Sequence, residues 1–271
     1  MKTKVISIIN YKGGVGKSTV TWNLGAELAK CGKRILLIDF DGQGNLTKFT
    51  GIEKKEIVTQ NIVDMLYLAV SGKEAEKDPI YPIKQNLSII PCDIRKENWS
   101  IRALSELSRE TILKRYIDTV KARYSFDYIL IDHAPSVGLD FQNGLVASDY
   151  YLIVTEAEVA SSDGIYTVKK VIDEIRRCFC NGLSPAGVVI NKVEELTNLH
   201  KLMTTMIQTS WGEDTYIFRT HIPKSIVIPE SELMALPVGE YKRSSKAAIA
   251  FEKFTREVIA RMEKEEDHGK S

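Results

Sequence analysis

The chain has 271 residues, of which 44% are hydrophobic and 27% are charged, and its formal net charge is only +1. This length and composition predict one large globular domain with a sizeable buried core rather than two small domains. The low net charge excludes binding of nucleic acid through a global basic field, so such binding would require a local basic patch.

Neither a membrane span nor a secretory signal is predicted. No apolar run approaches the ~20 residues that cross a bilayer. The first residues enter an apparent strand directly and leave no room for a signal peptide, so we expect a cytoplasmic protein. Cysteine spacing suggests redox or metal chemistry only for Cys178 and Cys180, which lie two residues apart. These two are more simply interpreted as helix-end thiols in a reducing compartment. The four cysteines are Cys31, Cys92, Cys178 and Cys180.

Short apolar runs alternate with helical periodicity along the chain. The runs are continuous in Val, Ile and Leu, which is typical of strands covered on both faces. They predict strands at 4–9, 34–39, 87–91, 128–132, 150–155, 187–191 and 215–218. The first predicted helix has Val20, Leu24, Leu28 and Cys31 on one face and ends at Gly32.

Later predicted helices lie at 101–124, 161–178, 195–210 and 244–264, and the charged segment 51–82 is predicted to form helices beside the sheet. Strand–helix alternation indicates an α/β fold, a single-domain, doubly wound, mainly parallel sheet flanked by helices. Ligands of such sheets bind at the carboxyl ends of the strands. The last residues, 265–271, are predicted to be a short, charged, disordered tail.

A glycine-rich segment, NYKGGVGKST, joins the first predicted strand to the first helix and begins at Asn10. A turn of this kind exposes backbone N–H groups at a helix N-terminus, where they bind phosphate. Lys17 would reach the terminal phosphates, and the Ser18 hydroxyl would bind Mg²⁺. Lys12 adds a second cation, which is costly beside this site unless a phosphate neutralises it.

This pattern of paired lysines resembles the deviant Walker A motif of the ParA/MinD family of ATPases. The resemblance extends from Lys4 to the predicted helix that ends near Lys264, and it implies a P-loop ATPase domain over 1–264 with ATP and Mg²⁺ as ligands. It also implies that Lys12 delivers charge across a dimer interface and is catalytic together with Lys17. The loop residues that it assigns to the nucleotide are Lys12, Gly13, Gly14, Val15, Gly16, Lys17, Ser18 and Thr19.

Two strand ends would complete the site. An apolar strand ends in Asp132, the carboxylate that a P-loop needs to hold the metal, here through water. The following turn resembles the family's Asp-x-Pro-Pro-Ser segment, and we interpret His133 as a tolerated turn residue rather than a base. The segment DFDGQGN resembles the family's Asp-x-Asp-Pro-Gln-Gly-Asn, with Gly42 in place of Pro. The resemblance makes Asp41 the catalytic residue that positions the attacking water, whereas Asp39 is more simply a turn cap.

The resemblance also assigns residues to the base. Asn191 ends a predicted strand where the family uses Asn to read the adenine edge. Pro223 lies in an Ile-Pro-Lys segment that resembles the family's Ile-Pro-Arg loop, whose backbone closes over the base. Asn also caps strand ends, so the assignment of Asn191 depends mainly on the resemblance.

The function implied by the resemblance is DNA segregation by a plasmid or chromosome partition ATPase. The ATP-bound form would be a sandwich homodimer that binds double-stranded DNA non-specifically and is associated with the nucleoid. A centromere-binding partner of the ParB type would stimulate the otherwise weak hydrolysis and release the dimer. Candidates for DNA contact are the basic residues Arg219, Lys224, Lys242, Arg243 and Lys246.

Other functional classes stay open. A MinD-like relative would end in an amphipathic membrane helix, but the last predicted helix here finishes in the acidic run EKEED, which repels anionic lipid. We therefore expect no membrane partner. A cytoplasmic ATPase that positions protein cargo would use the same nucleotide site. A nucleotide-gated regulator or a metal-cluster carrier would not transport DNA.

Overall fold

A computed structural model describes residues 2–55, 57–73, 75–156, 162–179, 182–194, 202, 205–207, 209 and 216–268. Over these residues, a seven-stranded sheet has the order β3-β4-β2-β5-β1-β6-β7. The strands are β1 (Lys4–Ile9), β2 (Ile35–Phe40), β3 (Tyr81–Lys84), β4 (Leu87–Ile90), β5 (Tyr128–His133), β6 (Tyr150–Glu156) and β7 (Ser184–Asn191).

Most helices of the described residues connect successive strands, and the last three follow β7. They are α1 (Lys17–Lys30), α2 (Asn45–Thr50), α3 (Ile62–Val70), α4 (Lys96–Ala103), α5 (Ile112–Arg123), α6 (Leu139–Val146), α7 (Ser162–Cys178), α8 (Val227–Leu233), α9 (Val238–Tyr241) and α10 (Lys246–His268). In the part of the chain that the structure describes, none of them is long and apolar enough to cross a membrane.

Helices cover both faces of the sheet, so the predicted doubly wound α/β fold is confirmed. Ile8 of β1 packs in one buried cluster with Leu24 of α1 and Phe254 of α10. Ile38 of β2 belongs to a second cluster, on the other face, with Ile117 of α5. Burial on both faces explains why the strand sequences are continuous apolar runs rather than alternating ones.

The register of the parallel strands brings acidic residues together at one edge of the sheet. β1, β2, β4, β5, β6 and β7 pair in parallel, and only β3 is antiparallel to its neighbour β4. Asp39 of β2 and Asp132 of β5 are directly paired positions. Because both lie at carboxyl ends of strands, the sheet places these carboxylates where ligands of doubly wound folds bind.

The first helix follows its predicted pattern with one exception. Val20, Leu24 and Leu28 are fully buried. The pattern places Cys31 on the same face, but this residue is exposed because α1 ends just before it. The chain then turns at Gly32, whose φ of 79° is in the left-handed region that favours glycine.

The segment 51–82 contains a strand that the sequence analysis did not predict. Residues 62–70 are helical as expected, but β3 begins at Tyr81 and pairs at the edge of the sheet. Pro82 lies inside β3, and an edge strand tolerates proline because one side of its backbone needs no partner. A short strand that contains proline gives almost no periodic signal.

The helix predicted over 101–124 is wrong as a continuous element. α4 ends at Ala103, and α5 begins only at Ile112. Between them, Ser108 has a φ of 56°, a conformation that interrupts a right-handed helix, and a short 3₁₀ turn follows. Exposed leucines in this connection extend the apparent helical pattern of the sequence.

The strand predicted over 215–218 is also wrong in the described residues. Thr215 lies outside them, and Ile217 forms only an isolated bridge with Val188. The chain leaves the sheet immediately afterwards because the backbone N–H groups of Arg219 and Thr220 donate to the Glu257 carboxylate of α10, at 2.8 and 3.1 Å.

Two further predictions concern the last third of the chain. Cys178 ends α7, as predicted for a helix-end thiol, whereas Cys180 and most of the predicted helix 195–210 lie outside the described residues. α10 continues to His268, so it extends into the segment predicted to be a disordered tail.

Candidate nucleotide site

The glycine-rich loop connects β1 to α1 at the carboxyl edge of the sheet. Gly14 and Gly16 have φ values of 78° and 91°, so both positions need the freedom of glycine. Gly16 caps α1 without a side-chain hydrogen bond, which leaves the first turn of the helix suited to an anion. Asn10 fixes the start of the loop, because its side chain donates to the Val154 carbonyl and accepts from the Lys12 N–H, at 2.7 and 2.9 Å.

The two lysines of the loop have different environments. Lys17 is buried, and its Nζ donates to the carbonyl oxygen of Lys12 at 3.2 Å. Burial lowers the pKa of Lys17, while the charges of Asp132 and Asp41 raise it. Lys12 is exposed, although its backbone N–H donates to Asn10 and its carbonyl oxygen accepts from Lys17. Lys17 therefore faces the carboxylates, whereas the side chain of Lys12 lies on the protein surface.

Asp132 has the properties of a metal-binding carboxylate. It is fully buried, and burial, followed by the charge of Asp39, raises its pKa well above the usual range, while a hydrogen bond from Ser18 and the charge of Lys17 lower it. Its Oδ1 is 3.4 Å from the Thr21 hydroxyl, but its Oδ2 has no partner among the described residues. A buried unpartnered carboxylate oxygen requires a donor or a cation, so Ser18 and Asp132 fit a bound Mg²⁺.

Asp39 is structural, as the sequence analysis favoured. Its Oδ2 accepts from both the N–H and the hydroxyl of Thr47, at 2.8 and 2.7 Å, and its Oδ1 accepts from the N–H of Asp41 at 3.2 Å. Burial raises its pKa to about 6 despite these bonds. Asp41, the predicted catalytic residue, is 8% exposed, and its Oδ1 accepts from the N–H of Gln43 at 3.0 Å. The loop after β2 is therefore folded around Asp39 and presents Asp41 beside Lys17.

Asn191 contacts the glycine-rich loop directly. Its Nδ2 donates to the Val15 carbonyl at 2.8 Å, while its buried Oδ1 has no partner among the described residues. A Cβ at Gly16 would lie 2.3 Å from this Nδ2, so glycine is the only residue that fits there. Pro223 bridges to Val193, just beyond the end of β7, which places the predicted base loop beside Asn191. The side-chain oxygen of Asn191 is thus a free acceptor at the edge of the loop.

Two residues at the loop were missed by the sequence analysis. Lys192 donates to the Gly14 carbonyl and lies 2.9 Å from a carboxylate oxygen of Glu156 at the end of β6. Glu232 of α8 accepts from the Thr19 hydroxyl at 2.5 Å, and burial raises its pKa. A lysine after a strand end, such as Lys192, is only a weak sequence signal for a contact with the loop. Glu232 has no such signal, because it is far from the loop in sequence.

His133 is not a turn residue, contrary to the sequence interpretation. It is the last residue of β5, is 2% exposed, and forms a 2.8 Å hydrogen bond between its Nε2 and the Ser7 hydroxyl. Burial lowers its pKa to about 3, so the imidazole is neutral and is not a base near neutral pH. A Cβ at Gly144 would lie 2.0 Å from the ring, which shows how tightly the core encloses it.

The candidate DNA-contact residues fall into separate groups. Arg219 and Lys246 line one cavity of about 690 Å³, together with Lys253. Lys224 forms an ion pair with Glu194. The remaining two, Lys242 and Arg243, are exposed in the turn between α9 and α10 and are not among the residues that line this cavity.

The class of P-loop nucleotide-binding proteins is defined by a strand, a glycine-rich loop with a buried lysine and a helix, next to a strand with Asp near its carboxyl end, here Asp132 in β5. The family model of the AAA domain matches residues 3–184. The chain belongs to the ParA/MinD family of P-loop ATPases, and within it to the Soj/ParA type of partition ATPase. This confirms the family to which the sequence motifs pointed.

Known proteins similar to this chain cover almost its whole length. The sporulation initiation inhibitor protein Soj of Bacillus subtilis is 34% identical over 261 residues, which are 95% of this chain and 98% of that protein. The chromosome-partitioning ATPase Soj of Treponema pallidum is 30% identical over 258 residues, with the same coverage of both chains. Each match therefore extends over nearly the full length of both sequences rather than over a shared fragment.

Solved structures extend the comparison to the fold. The septum site-determining protein MinD of Pyrococcus horikoshii, determined with Mg-ADP, is 26% identical, has a TM-score of 0.73, and matches over 94% of this chain and 96% of its own. A putative plasmid partition protein of Borrelia burgdorferi bound to AMPPNP has a TM-score of 0.78 and covers 96% of this chain and 100% of its own. At 24% identity, this second match supports the fold alone.

Proposed function

We propose that the protein is a Mg²⁺-dependent ATPase that segregates DNA as an ATP-bound homodimer. The observation that carries the proposal is the fully buried Asp132 oxygen that has no partner among the described residues, near Ser18 and the buried Lys17. These groups fit a divalent cation and phosphate oxygens. The Mg-ADP bound in the MinD structure supports an adenine nucleotide with Mg²⁺ as the ligand of this chain.

Hydrolysis in this site depends on positioning and on charge neutralisation. The loop N–H groups and Lys17 would bind the phosphates, while Ser18 and Asp132 would hold Mg²⁺, which neutralises charge on the phosphate oxygens when bound. Asp41, close enough to Lys17 to influence its pKa, would orient the attacking water. Lys12 is exposed, so we assign it to the phosphates of a second subunit.

The free acceptor of Asn191 supports adenine as the base. Its amide nitrogen is already used by the Val15 carbonyl, so its oxygen is the group left for a ligand. The exocyclic amine of adenine donates to such an oxygen, whereas guanine presents a carbonyl at the same position. We therefore expect ATP to bind more tightly than GTP.

The partners of the proposed dimer are non-specific double-stranded DNA and a centromere-binding protein of the ParB type. Basic residues converge on the cavity that contains Arg219, Lys246 and Lys253, and such a surface would bind phosphates of any sequence. Both Soj proteins that match this chain carry names from sporulation control or chromosome partitioning, which supports this role. The protein would be cytoplasmic and associated with the nucleoid in its ATP-bound state.

The test combines three measurements on the purified chain: ATP turnover with Mg²⁺, mass in solution with and without ATP, and retardation of random-sequence DNA. We expect slow turnover, a doubled mass with ATP, and ATP-dependent retardation that weakens steeply with salt. Turnover without DNA retardation at any salt concentration would favour a cytoplasmic ATPase that positions protein cargo. Absence of ATP binding would refute the proposal entirely.

A further inference from the structure

Lys96, the first residue of α4, has an unusual environment for a lysine. Its side chain is 1% exposed, and its Nζ lies 2.8 Å from Oδ2 of Asp140, near the start of α6. The same Nζ is 3.8 Å from the centroid of the Phe40 ring, a distance that allows a cation–π interaction. Lysine is almost never buried to this extent unless it is paired, so the contact with Asp140 fixes both side chains.

The pair lies against an aromatic cluster of Phe40, Trp99, His133 and Phe141. The Trp99 indole N–H donates to the second oxygen of Asp140. Ring centroids are 6.3 Å apart for Phe40 and Trp99, 6.2 Å for Phe40 and His133, and 5.7 Å for His133 and Phe141. The cluster therefore connects α4 and α6 with the ends of β2 and β5.

Those two strand ends are the ones that carry the proposed catalytic and metal-binding carboxylates. Phe40 immediately precedes Asp41, and His133 immediately follows Asp132. A shift of either aromatic ring would thus move the neighbouring carboxylate. The aromatic cluster and the Lys96–Asp140 pair pack against the two strand ends and, in the described contacts, do not touch the nucleotide loop.

α4 also contacts the loop after Asp41 directly. The Gln43 side chain donates to Glu97 at 3.1 Å, while the Gln43 N–H donates to Asp41 at 3.0 Å. A Cβ at Gly42 would lie 3.1 Å from Cγ of Glu97 and 3.5 Å from Cβ of Lys96. This close approach gives a physical reason for glycine where the family segment has proline.

We propose that Lys96 is a positioning residue for hydrolysis, an inference that rests on the proposed ATPase function. Its ammonium group, held by Asp140, fixes the loop that carries Asp41 relative to the strand end that carries Asp132. In-line attack on a phosphate requires this relation, and a misplacement of about 1 Å can cost on the order of 10²-fold in rate. Lys96 acts through these neighbours and does not touch the substrate.

Stability and turnover distinguish positioning from a purely structural role. Lys96→Met leaves the partly buried Asp140 carboxylate without its cation, so this variant is expected to lose both stability and turnover. Lys96→Met/Asp140→Asn removes both charges, keeps an acceptor for Trp99, and is expected to regain much of the stability. Turnover by the double variant stays reduced on the order of 10²-fold if the pair positions the site.

The measurements are the thermal midpoint, the dissociation constant for ATP and kcat at saturating ATP. We expect the double variant to bind ATP like the wild type and to fail only in kcat. Lys114→Met, which removes an exposed ion pair with Asp118 in α5, is the matched control and is expected to change none of the three. Wild-type kcat in the double variant, or a loss of ATP affinity that accounts for its slow turnover, would overturn the inference. A wild-type chain that binds but never hydrolyses ATP would instead refute the proposed function.

Discussion

The nucleotide site and the basic surface near α10 are built on opposite principles. In the nucleotide site, Lys17, Asp39 and Asp132 are buried, and hydrogen bonds fix Lys17 to the glycine-rich loop and Asp39 to the loop after β2. On the basic surface, Lys242 and Arg243 are exposed and are not among the residues that line the cavity with Lys246. Chemistry on a phosphate needs fixed geometry, whereas non-specific attraction to DNA needs only charge. Single substitutions should therefore change ATP binding or turnover strongly in the nucleotide site, whereas on the basic surface each should change DNA affinity only slightly.

The largest expected effect is that of Lys12→Ala. If the exposed lysine serves a second subunit, its removal should lower ATP turnover by on the order of 10³-fold, as for cations supplied in trans to other NTPases. Dimer formation with ATP should be lost as well, while the monomer stays folded. Turnover assays and light scattering would measure this, and Lys54→Ala, at an exposed lysine outside the site, is the control. Unchanged turnover and mass would remove Lys12 from the mechanism.

Gly16→Ala should weaken ATP binding by about tenfold or more because it meets two obstacles. The left-handed φ of 91° costs about 1–2 kcal/mol for a residue with a side chain, and the new Cβ would overlap Asn191. Gly32→Ala is a closely matched control, since its φ is 79° but nothing lies within 4 Å of its Cβ. Calorimetry with ATP and thermal unfolding would separate the two variants. Equal behaviour of both would show that the contact with Asn191 does not constrain the loop.

The buried His133 predicts a pH dependence of stability. Its pKa in the folded state is lowered to about 3, below the 6.5 of an unfolded chain, so between these values the unfolded state binds more protons. The contribution of neutral His133 is therefore complete above pH 6.5 and is lost as the pH falls. The difference in unfolding free energy between the wild type and His133→Gln should shrink by about 1.4 kcal/mol per pH unit in this window. Denaturant titrations at several pH values would detect it, and a constant difference would contradict the assigned neutral state.

The smallest effects are expected on the basic surface. Arg219→Ala/Lys246→Ala should weaken binding of random-sequence DNA uniformly and reduce the slope of log affinity against log salt by about 1 for each phosphate that is no longer neutralised. Lys242→Ala/Arg243→Ala tests the exposed turn in the same assay. Lys224→Ala should change less, because Glu194 already pairs with this lysine. If the salt slope is the same in all variants, DNA binds elsewhere on the protein.

The sequence predicted those parts of the molecule whose signal is local. The loop from Asn10 to Thr19 combines a turn, a cation and a helix start within one short segment, so its role could be read directly. Six of the predicted strands are present because strands covered on both faces are continuous apolar runs. β3 has no such run, since it lies at the edge and contains Pro82.

Contacts between distant residues could not be predicted in this way. Lys96 looks like a surface lysine in a charged stretch, and only the fold reveals that Asp140 and Phe40 enclose it. Glu232 reaches Thr19 from a helix late in the chain. The interpretation of His133 as a turn residue fails for the same reason, because the space left by Gly144 is visible only in three dimensions.

The first strand and the last helix are fastened together, since the ammonium group of Lys4 donates to the carbonyl oxygen of Met262 at 2.9 Å. From Met262 to His268, α10 advances only about 9 Å further. The two ends of the described chain are therefore neighbours in space, and a short glycine-serine linker could join them in a circularly permuted version. Because Lys4 begins β1 and the phosphate loop follows Ile9, such a linker would lie at the edge of the sheet opposite the phosphate loop.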